Sequence, residues 1–352
     1  MDIMHSVLVS YGFNKDSYTI ERFGNGLIND TCLVKKEGEK YILQRINKAV
    51  FTNPFLIAEN IEKIEAYLAE TDTSYFFTTP CKTLGGDTIV CIEDHYYRMF
   101  PFVKDSHTVD VVQTPQQAFE AAAQFGQFTR VLSGMNIDTL NITLPAFHDL
   151  TLRYNQFLEA LEKGNPARIT EVAGLVKQLK KQADIVEEYN NILDNSAFRL
   201  RVTHHDTKIS NVLFDGASKG LCVIDLDTVM PGYFISDVGD MMRTYLCPVS
   251  EEEKDFSKIE IREEFYFAIV NGYKSFMEAE LTDTEKQYFF YAGKFMIYMQ
   301  ALRFITDYIN NDVYYGARYP GHNLVRATNQ SILLQRLLEK EPVFSARQEI
   351  IQ

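Results

Sequence analysis

Between Arg201 and Asp227 the chain reads RVTHHDTKISNVLFDGASKGLCVIDLD, and a small set of chemically able side chains falls at fixed spacing within it. His204-x-Asp206-x-Lys208-x-x-Asn211 leads into an apolar run, Asn211-Val-Leu-Phe. A Gly/Ser-rich turn follows, then a second apolar run, Leu221-Cys-Val-Ile, which ends at Asp225. These residue types suit phosphoryl transfer. That reaction needs a carboxylate to orient a hydroxyl and take its proton, a cation beside the moving phosphoryl group, and oxygen ligands for magnesium. Asp206 can be the base, Lys208 the cation, and Asn211 with Asp225 the metal ligands. A tight hairpin would return the second run beside the first and bring Asn211 and Asp225 together. The competing reading makes Asp206 and Asn211 turn residues and His204 a satisfied polar residue at a strand end. Four fixed residues match by chance in only about one chain of this length per thousand.

The His, Asp, Lys and Asn spacing resembles the protein-kinase catalytic loop. With Ile224-Asp225-Leu226-Asp227 after it, the stretch resembles more closely the aminoglycoside phosphotransferase and choline kinase superfamily. The longer run Asp206-Thr-Lys-Ile-Ser-Asn, then Val223-Ile-Asp-Leu-Asp-Thr-Val-Met-Pro-Gly232, is similar to the N-acetylhexosamine 1-kinases, which act on the anomeric hydroxyl of an amino sugar. Arg303-Phe-Ile-Thr-Asp-Tyr and His322-Asn-Leu-Val-Arg326 carry the same resemblance. It extends from Phe23 to about Leu338. It implies an α+β, bilobal, protein-kinase-like fold: a small β-rich N-lobe over residues 1–100 that binds nucleotide, and a larger helical C-lobe over 101–352 that carries the catalytic loop, metal site and acceptor pocket. It also implies ATP and Mg2+ as cofactors and a small-molecule acceptor, with an amino sugar favoured.

The elements that must hold these residues can be read along the chain. One short helix fits within the first 18 residues. Tyr18 to Tyr41 reads as a hairpin whose first strand ends at Gly24-Asn25-Gly26. Such a turn lets backbone N–H groups approach phosphate, although Gly-x-Gly turns mostly just join strands. The next strand, Tyr41-Ile-Leu-Gln-Arg-Ile46, contains no lysine. Strand alternation sets Gln44 where the kinase-type lysine belongs and turns Arg45 to the other face, unless a bulge reverses it. Asn53-Pro54 opens a helix with an apolar stripe, on which Glu59, Glu62 and Glu65 are candidate partners for Arg45. Thr88–Ile92 and His95–Phe100 form a hairpin about Glu93-Asp94. The resemblance makes Phe100-Pro-Phe-Val103 the hinge that pairs with adenine. Pro101 has no N–H, so Phe100 or Phe102 would supply the donor.

From residue 115 the pattern is helical, with Ala118, Ala121, Ala122, Phe125, Phe128 and Leu132 on the helical period. Helices are expected near 146–162, 167–193, 261–279, 284–309 and 323–340. Thr228 lies close enough to Asp225 to face the acceptor. Asp237 either faces it too or braces the catalytic loop, and Asp240 reads as a first-turn helix acid. Arg303 either pairs with Asp307 one turn on or donates to the acceptor's hydroxyl or acyl oxygens.

Composition narrows the alternatives. A net charge of −13 argues against nucleic acid and against an anionic membrane as partners, since both need a basic face. Five cysteines without a CxxC pair fit a reduced compartment, and the N-terminus has no basic, apolar leader pattern. The expectation is a cytoplasmic protein. Three functions stay open: an N-acetylhexosamine 1-kinase; a kinase of another small hydroxyl compound such as a different sugar, homoserine, choline or an aminoglycoside; and an inactive kinase-like binding protein.

Overall fold

The computed structural model describes residues 3–15, 17–24, 28–71 and 74–351, with side chains in the last helix as far as Ala346. Helix α1 (Ile3–Ser10) precedes an antiparallel sheet of five strands: β1 (Thr19–Arg22), β2 (Asp30–Lys36), β3 (Glu39–Ile46), β4 (Val90–Ile92) and β5 (His95–Pro101), ordered β1-β2-β3-β5-β4. Helix α2 (Pro54–Glu70) lies between β3 and β4 in sequence, opened by Asn53 accepting from the Phe55 amide with Pro54 at the first turn. The Glu93-Asp94 turn has φ of 50° and 63° at its two residues, the left-handed pair that a two-residue hairpin needs.

The remainder is mainly helical: α3 (Pro115–Val131), α4 (Leu150–Lys163), α5 (Pro166–Glu171), α6 (Ala173–Lys180) and α7 (Asp184–Asp194) come first. Four short strands follow, β6 (Arg201–Thr203), β7 (Val212–Phe214), β8 (Gly220–Val223) and β9 (Met230–Gly232), then α8 (Phe234–Tyr245), α9 (Glu263–Met277), α10 (Asp283–Lys286), α11 (Phe289–Ile309), α12 (His322–Glu339) and α13 (Glu341–Ile351). The fold is the bilobal, kinase-like one. Strands β7 and β8 pair as a hairpin and β6 pairs with β9, so the candidate loop is clasped by two small ladders.

Three expectations are corrected by the structure. The single helix expected near 167–193 is three pieces, interrupted at the buried Val172 and again over Lys181-Gln182-Ala183, where the sequence offers no large apolar anchor. The helix expected over 284–309 is broken near Gln287, and a further helix, α13, follows α12.

The sheet has two differently occupied faces. On one, Val34, Leu43, Val90, Tyr97 and Met99 pack with Val7, Leu8 and Phe13 of the N-terminal segment. On the other, Ile46 and the α2 stripe of Ile57, Ile61, Ile64 and Leu68 merge with the large helical core. Helix α3 lies close against α9: a Cβ at Gly272 would sit 2.3 Å from the Phe119 carbonyl oxygen, so this approach requires glycine. Among the described residues no helix is long and apolar enough to cross a membrane.

Candidate active site

The catalytic-loop segment is fixed from beneath by α8. Asp237 is fully buried, and its two carboxylate oxygens accept from the backbone amides of His204 (3.1 Å) and His205 (2.7 Å). Asp240 accepts from the Thr207 amide at 2.9 Å and is paired with Arg243. The Thr207 hydroxyl donates to the Asp237 carbonyl, and the Tyr245 hydroxyl to the Thr207 carbonyl. His204 packs edge-on against Phe125, with ring centroids 5.1 Å apart, and its Nε2 lies 3.0 Å from the Ile224 carbonyl. His205 has φ +67°, a left-handed conformation that is costly for a side chain with a Cβ. It persists because both neighbouring amides are tied to Asp237. The His205 ring occupies the space a Cβ on Gly232 would need, 2.4 Å from its Cε1, which explains the glycine ending the Val-Met-Pro-Gly run.

This bracing leaves Asp206 with one oxygen engaged and one open. Its Oδ2 accepts from Lys208 Nζ at 2.9 Å and from Asn211 Nδ2 at 3.0 Å; among the described residues its Oδ1 has no partner. Burial would raise the Asp206 pKa, but the Lys208 charge outweighs it and holds the carboxyl below its ordinary value. Lys208 is in turn held protonated, because Asp206 and Asp225 overcome its own burial.

The β7–β8 hairpin brings Asn211 beside Asp225, with the Ile224 amide donating to the Asn211 carbonyl at 2.8 Å. Asn211 donates its side-chain amide to Asp206, which leaves its Oδ1 without a partner among the described residues. Asp225 has φ +63°. Among the described residues no hydrogen bond or ion pair reaches its carboxylate. Burial and the nearby Asp227 push its pKa up to about 6. A half-buried carboxylate without a donor, beside an amide oxygen, suits a hard cation with oxygen ligands.

The N-lobe side differs from expectation at three points. Arg45 faces solvent and pairs with Asp30 at 2.5 Å, with no bulge between β3 and β5 to reverse it. Glu62 accepts from the Thr88 hydroxyl and Glu59 from the Asn141 side-chain amide; among the described residues no ion pair joins Arg45 to Glu59, Glu62 or Glu65, and its partner is Asp30. Gln44 instead accepts from Arg98 Nε and Nη2 at 3.1 and 2.9 Å, and Arg98 Nη1 lies 2.5 Å from Asp227 Oδ1. Asn29 donates to the other Asp227 oxygen at 2.7 Å. The Phe102 amide donates to the Lys40 carbonyl at 3.0 Å. Ladder alternation commits the Phe100 amide to β3 in the same way, through the Ile42 pair. Neither amide is available to adenine, and the first hinge amide off the β3 ladder is that of Val103. The Phe102 ring packs edge-on with Phe23 and lies beneath Lys40. Gly24 has φ +73°, a left-handed conformation that favours glycine; Asn25 and Gly26 lie outside the described residues.

On the acceptor side, Thr228 is buried and donates to the His204 carbonyl at 2.6 Å, so with Asp237 it supports the loop. Thr228 differs here from the acceptor-facing position expected of it, and of the two readings of Asp237 the structure shows the brace, because the polar atoms of both are taken up by the loop backbone. Arg303 does not pair with Asp307, whose oxygens accept from the Tyr314 and Tyr315 amides and from Asn323. Its guanidinium lies among Phe147, Tyr314 and Tyr315, 5.4–5.9 Å from their ring centroids.

A profile of the phosphotransferase enzyme family matches residues 19–260, more than half of the chain. The chain belongs to that family. Solved structures share the fold at low identity. An amicoumacin kinase in complex with AMP-PNP and Ca2+ is 14% identical over 95% of this chain and 92% of its own, with a TM-score of 0.63. An aminoglycoside phosphotransferase from Alicyclobacillus acidocaldarius is 12% identical over 95% and 94%, at 0.61. A microcompartment-associated aminopropanol kinase is 19% identical over 96% and 97%, at 0.58.

In this phosphotransferase the loop support includes two histidines whose state is set by burial. Ser236 Oγ lies 2.7 Å from His205 Nδ1 and 2.5 Å from His148 Nδ1. Burial lowers the pKa of both, His205 to about 4, and the charges of Arg303, Arg243 and Arg153 lower His148 further. Each ring is neutral in the fold but titrates near pH 6.5 in the unfolded chain. Each therefore contributes stability that is fully present above pH 6.5 and is lost as pH falls toward the folded value. The expected result is that neither imidazole titrates in NMR spectra between pH 8 and pH 5.5; a midpoint above 6 for either would contradict this burial.

Asn60, wholly buried on α2, is a further residue the motifs did not reveal. It donates to the Asn141 and Val229 carbonyls and accepts from the Asn141 amide. It pins α2 to the turn that follows Asp225 without any ion pair.

Proposed function

We propose that this phosphotransferase is an ATP-dependent small-molecule kinase whose acceptor is an N-acetylhexosamine, phosphorylated at the anomeric hydroxyl to give the sugar 1-phosphate and ADP. The observation that carries the acceptor class is the charge of the flank beyond the catalytic loop. Asp237, Asp240 and Asp307 are engaged with backbone amides or an arginine, and Glu251 is engaged with Arg243 and Arg326. Arg303 remains in an aromatic setting without a carboxylate. A cationic acceptor needs free carboxylates; a neutral acceptor with hydroxyl and acyl oxygens suits a guanidinium donor flanked by rings. The run from Asp206 to Gly232 and the segment about Arg303 resemble the N-acetylhexosamine 1-kinases in the same sense.

In this reading Asn211 Oδ1 and the Asp225 carboxylate hold Mg2+ on the ATP phosphates, where the ion, when bound, neutralises phosphate charge. Asp206 Oδ1 accepts the acceptor's hydroxyl hydrogen bond, and its Oδ2 stays fixed by Lys208 and Asn211. The hydroxyl oxygen forms the new P–O bond as the bond to the ADP oxygen breaks, and its proton passes late to Asp206. Lys208 offsets charge on the transferred oxygens. Gly24, the Phe102 ring and the Val103 amide line the nucleotide side.

The test compares N-acetylhexosamines with choline, ethanolamine and an aminoglycoside by kcat/KM. N-acetylhexosamines are expected to be preferred by at least about tenfold. Arg303→Met is expected to raise the acceptor KM by about 10- to 100-fold, as for loss of one charged hydrogen-bonding group, with the ATP KM unchanged. Preference for a cationic acceptor, or an unaltered acceptor KM in Arg303→Met, would remove the amino-sugar reading.

A further inference from the structure

The nucleotide side of the cleft lacks the strand lysine that in kinase-type sites meets the phosphates. Gln44 stands at its position on β3, and Arg45 is turned to solvent. A different cation fills the gap in space. Arg98 lies directly across from Gln44 in the β3–β5 register, so both side chains share one face of the sheet. Its side chain is only 2% exposed, held by Gln44 Oε1 on one side and by the Phe100 ring, 5.2 Å from the guanidinium carbon, on the other. It crosses from the N-lobe sheet to Asp227, two residues beyond the metal carboxylate.

The contact with Asp227 is close but not directional. Nη1 is 2.5 Å from Oδ1, yet neither atom has a hydrogen bond of good alignment. The buried guanidinium charge lies near enough to Asp225 to favour its ionised form. Asn29 binds the second Asp227 oxygen and accepts from the Asn47 amide, so the strand after the glycine turn is tied to the same carboxylate. Surface pairing would leave such a group mobile and screened; here the cation is fixed on a rigid strand at the junction of the two lobes.

We propose that Arg98, seated on Gln44 and engaged with Asp227, replaces the missing strand lysine: it is a positioning residue that fixes the N-lobe sheet over the metal turn and supplies the positive potential under the nucleotide phosphates. This inference rests on the nucleotide-binding reading above. The competing role is purely structural, neutralising a buried Asp227.

Calorimetric binding of ADP, with and without Mg2+, separates the two, read beside thermal unfolding and the KM for ATP. Arg98→Met is expected to weaken metal-free ADP binding about tenfold or more and to raise the ATP KM with a smaller change in the acceptor KM. Gln44→Lys in that background returns a cation to β3 and is expected to recover most of the affinity. The pair Arg98→Met with Asp227→Asn removes both buried charges and carries the test if the single variant does not fold. It is expected to regain thermal stability while ADP binding stays weak. ADP affinity equal to wild type in Arg98→Met or in that pair would overturn the proposal and leave Arg98 a structural partner of Asp227. Failure of the wild-type protein to bind ADP with or without Mg2+ would remove the nucleotide reading itself, and the role of Arg98 with it.

Discussion

Asp206→Asn is expected to lower kcat by about 10² to 10⁴, the span associated with loss of a general base, while ADP affinity changes little. The asparagine keeps the shape and can retain an oxygen toward Lys208 and Asn211, which are held at 2.9 and 3.0 Å from Oδ2. It cannot accept a proton. Because Lys208 already holds the Asp206 carboxyl below its usual range, the carboxylate is a weak base. Its contribution is to orient the hydroxyl and take the proton late. In the proposed function nucleotide binding depends on other groups, Asn211 and Asp225 among them, and these are unaltered. Steady-state kinetics on the best acceptor, with calorimetric ADP binding alongside, checks both halves. A variant that kept near wild-type turnover would show that Asp206 is not the group meeting the hydroxyl.

Asp237→Ala is expected to have the largest combined effect on stability and turnover. It would leave the His204 and His205 amides without acceptors in a fully buried setting. At about 1–3 kcal/mol for each orphaned group, the loss should approach about 2–5 kcal/mol. A melting-temperature fall of about 3–7 °C follows for a chain of this size. The left-handed conformation at His205 would lose its restraint, and Asp206 is the next residue. Displacement by about 1 Å costs about 10² in rate, so kcat should fall with it. Asp237→Asn should fall between, since one amide keeps an oxygen acceptor. A melting temperature and kcat equal to wild type in Asp237→Ala would show that α8 does not hold the loop.

What was legible in the sequence is mostly local. The β7–β8 hairpin follows from two short apolar runs about a Gly/Ser turn, and its pairing is what sets Asn211 beside Asp225. The face of Gln44 and Arg45 follows from strand alternation, and α2, α3, α9 and α12 from caps and stripes. The rest depended on pairings distant in sequence. Arg98 reads as one polar residue in an aromatic strand. Its role appears only when the β3–β5 register places it over Gln44 and the lobes meet at Asp227. That the Phe100 and Phe102 amides face β3 was hidden for a related reason. The alternation that leaves Val103 off the ladder depends on which side of β5 meets β3. Asn60 did leave a signal, an amide inside an otherwise apolar helical stripe between Ile57 and Ile64, which marks a buried polar group in need of partners. Asp237 was readable as helix acid, loop brace or substrate contact, and only the fold distinguishes them.

The most direct measurement follows the ³¹P NMR spectrum of the wild-type protein with ATP, Mg2+ and an N-acetylhexosamine. The expected record is loss of the γ-phosphate signal matched by growth of ADP and of a sugar 1-phosphate resonance, dependent on the divalent ion and absent with Asp206→Asn. An unchanged ATP spectrum, or inorganic phosphate as the only new product with this acceptor and with every other hydroxyl compound offered, would contradict the assignment of this cleft to phosphoryl transfer.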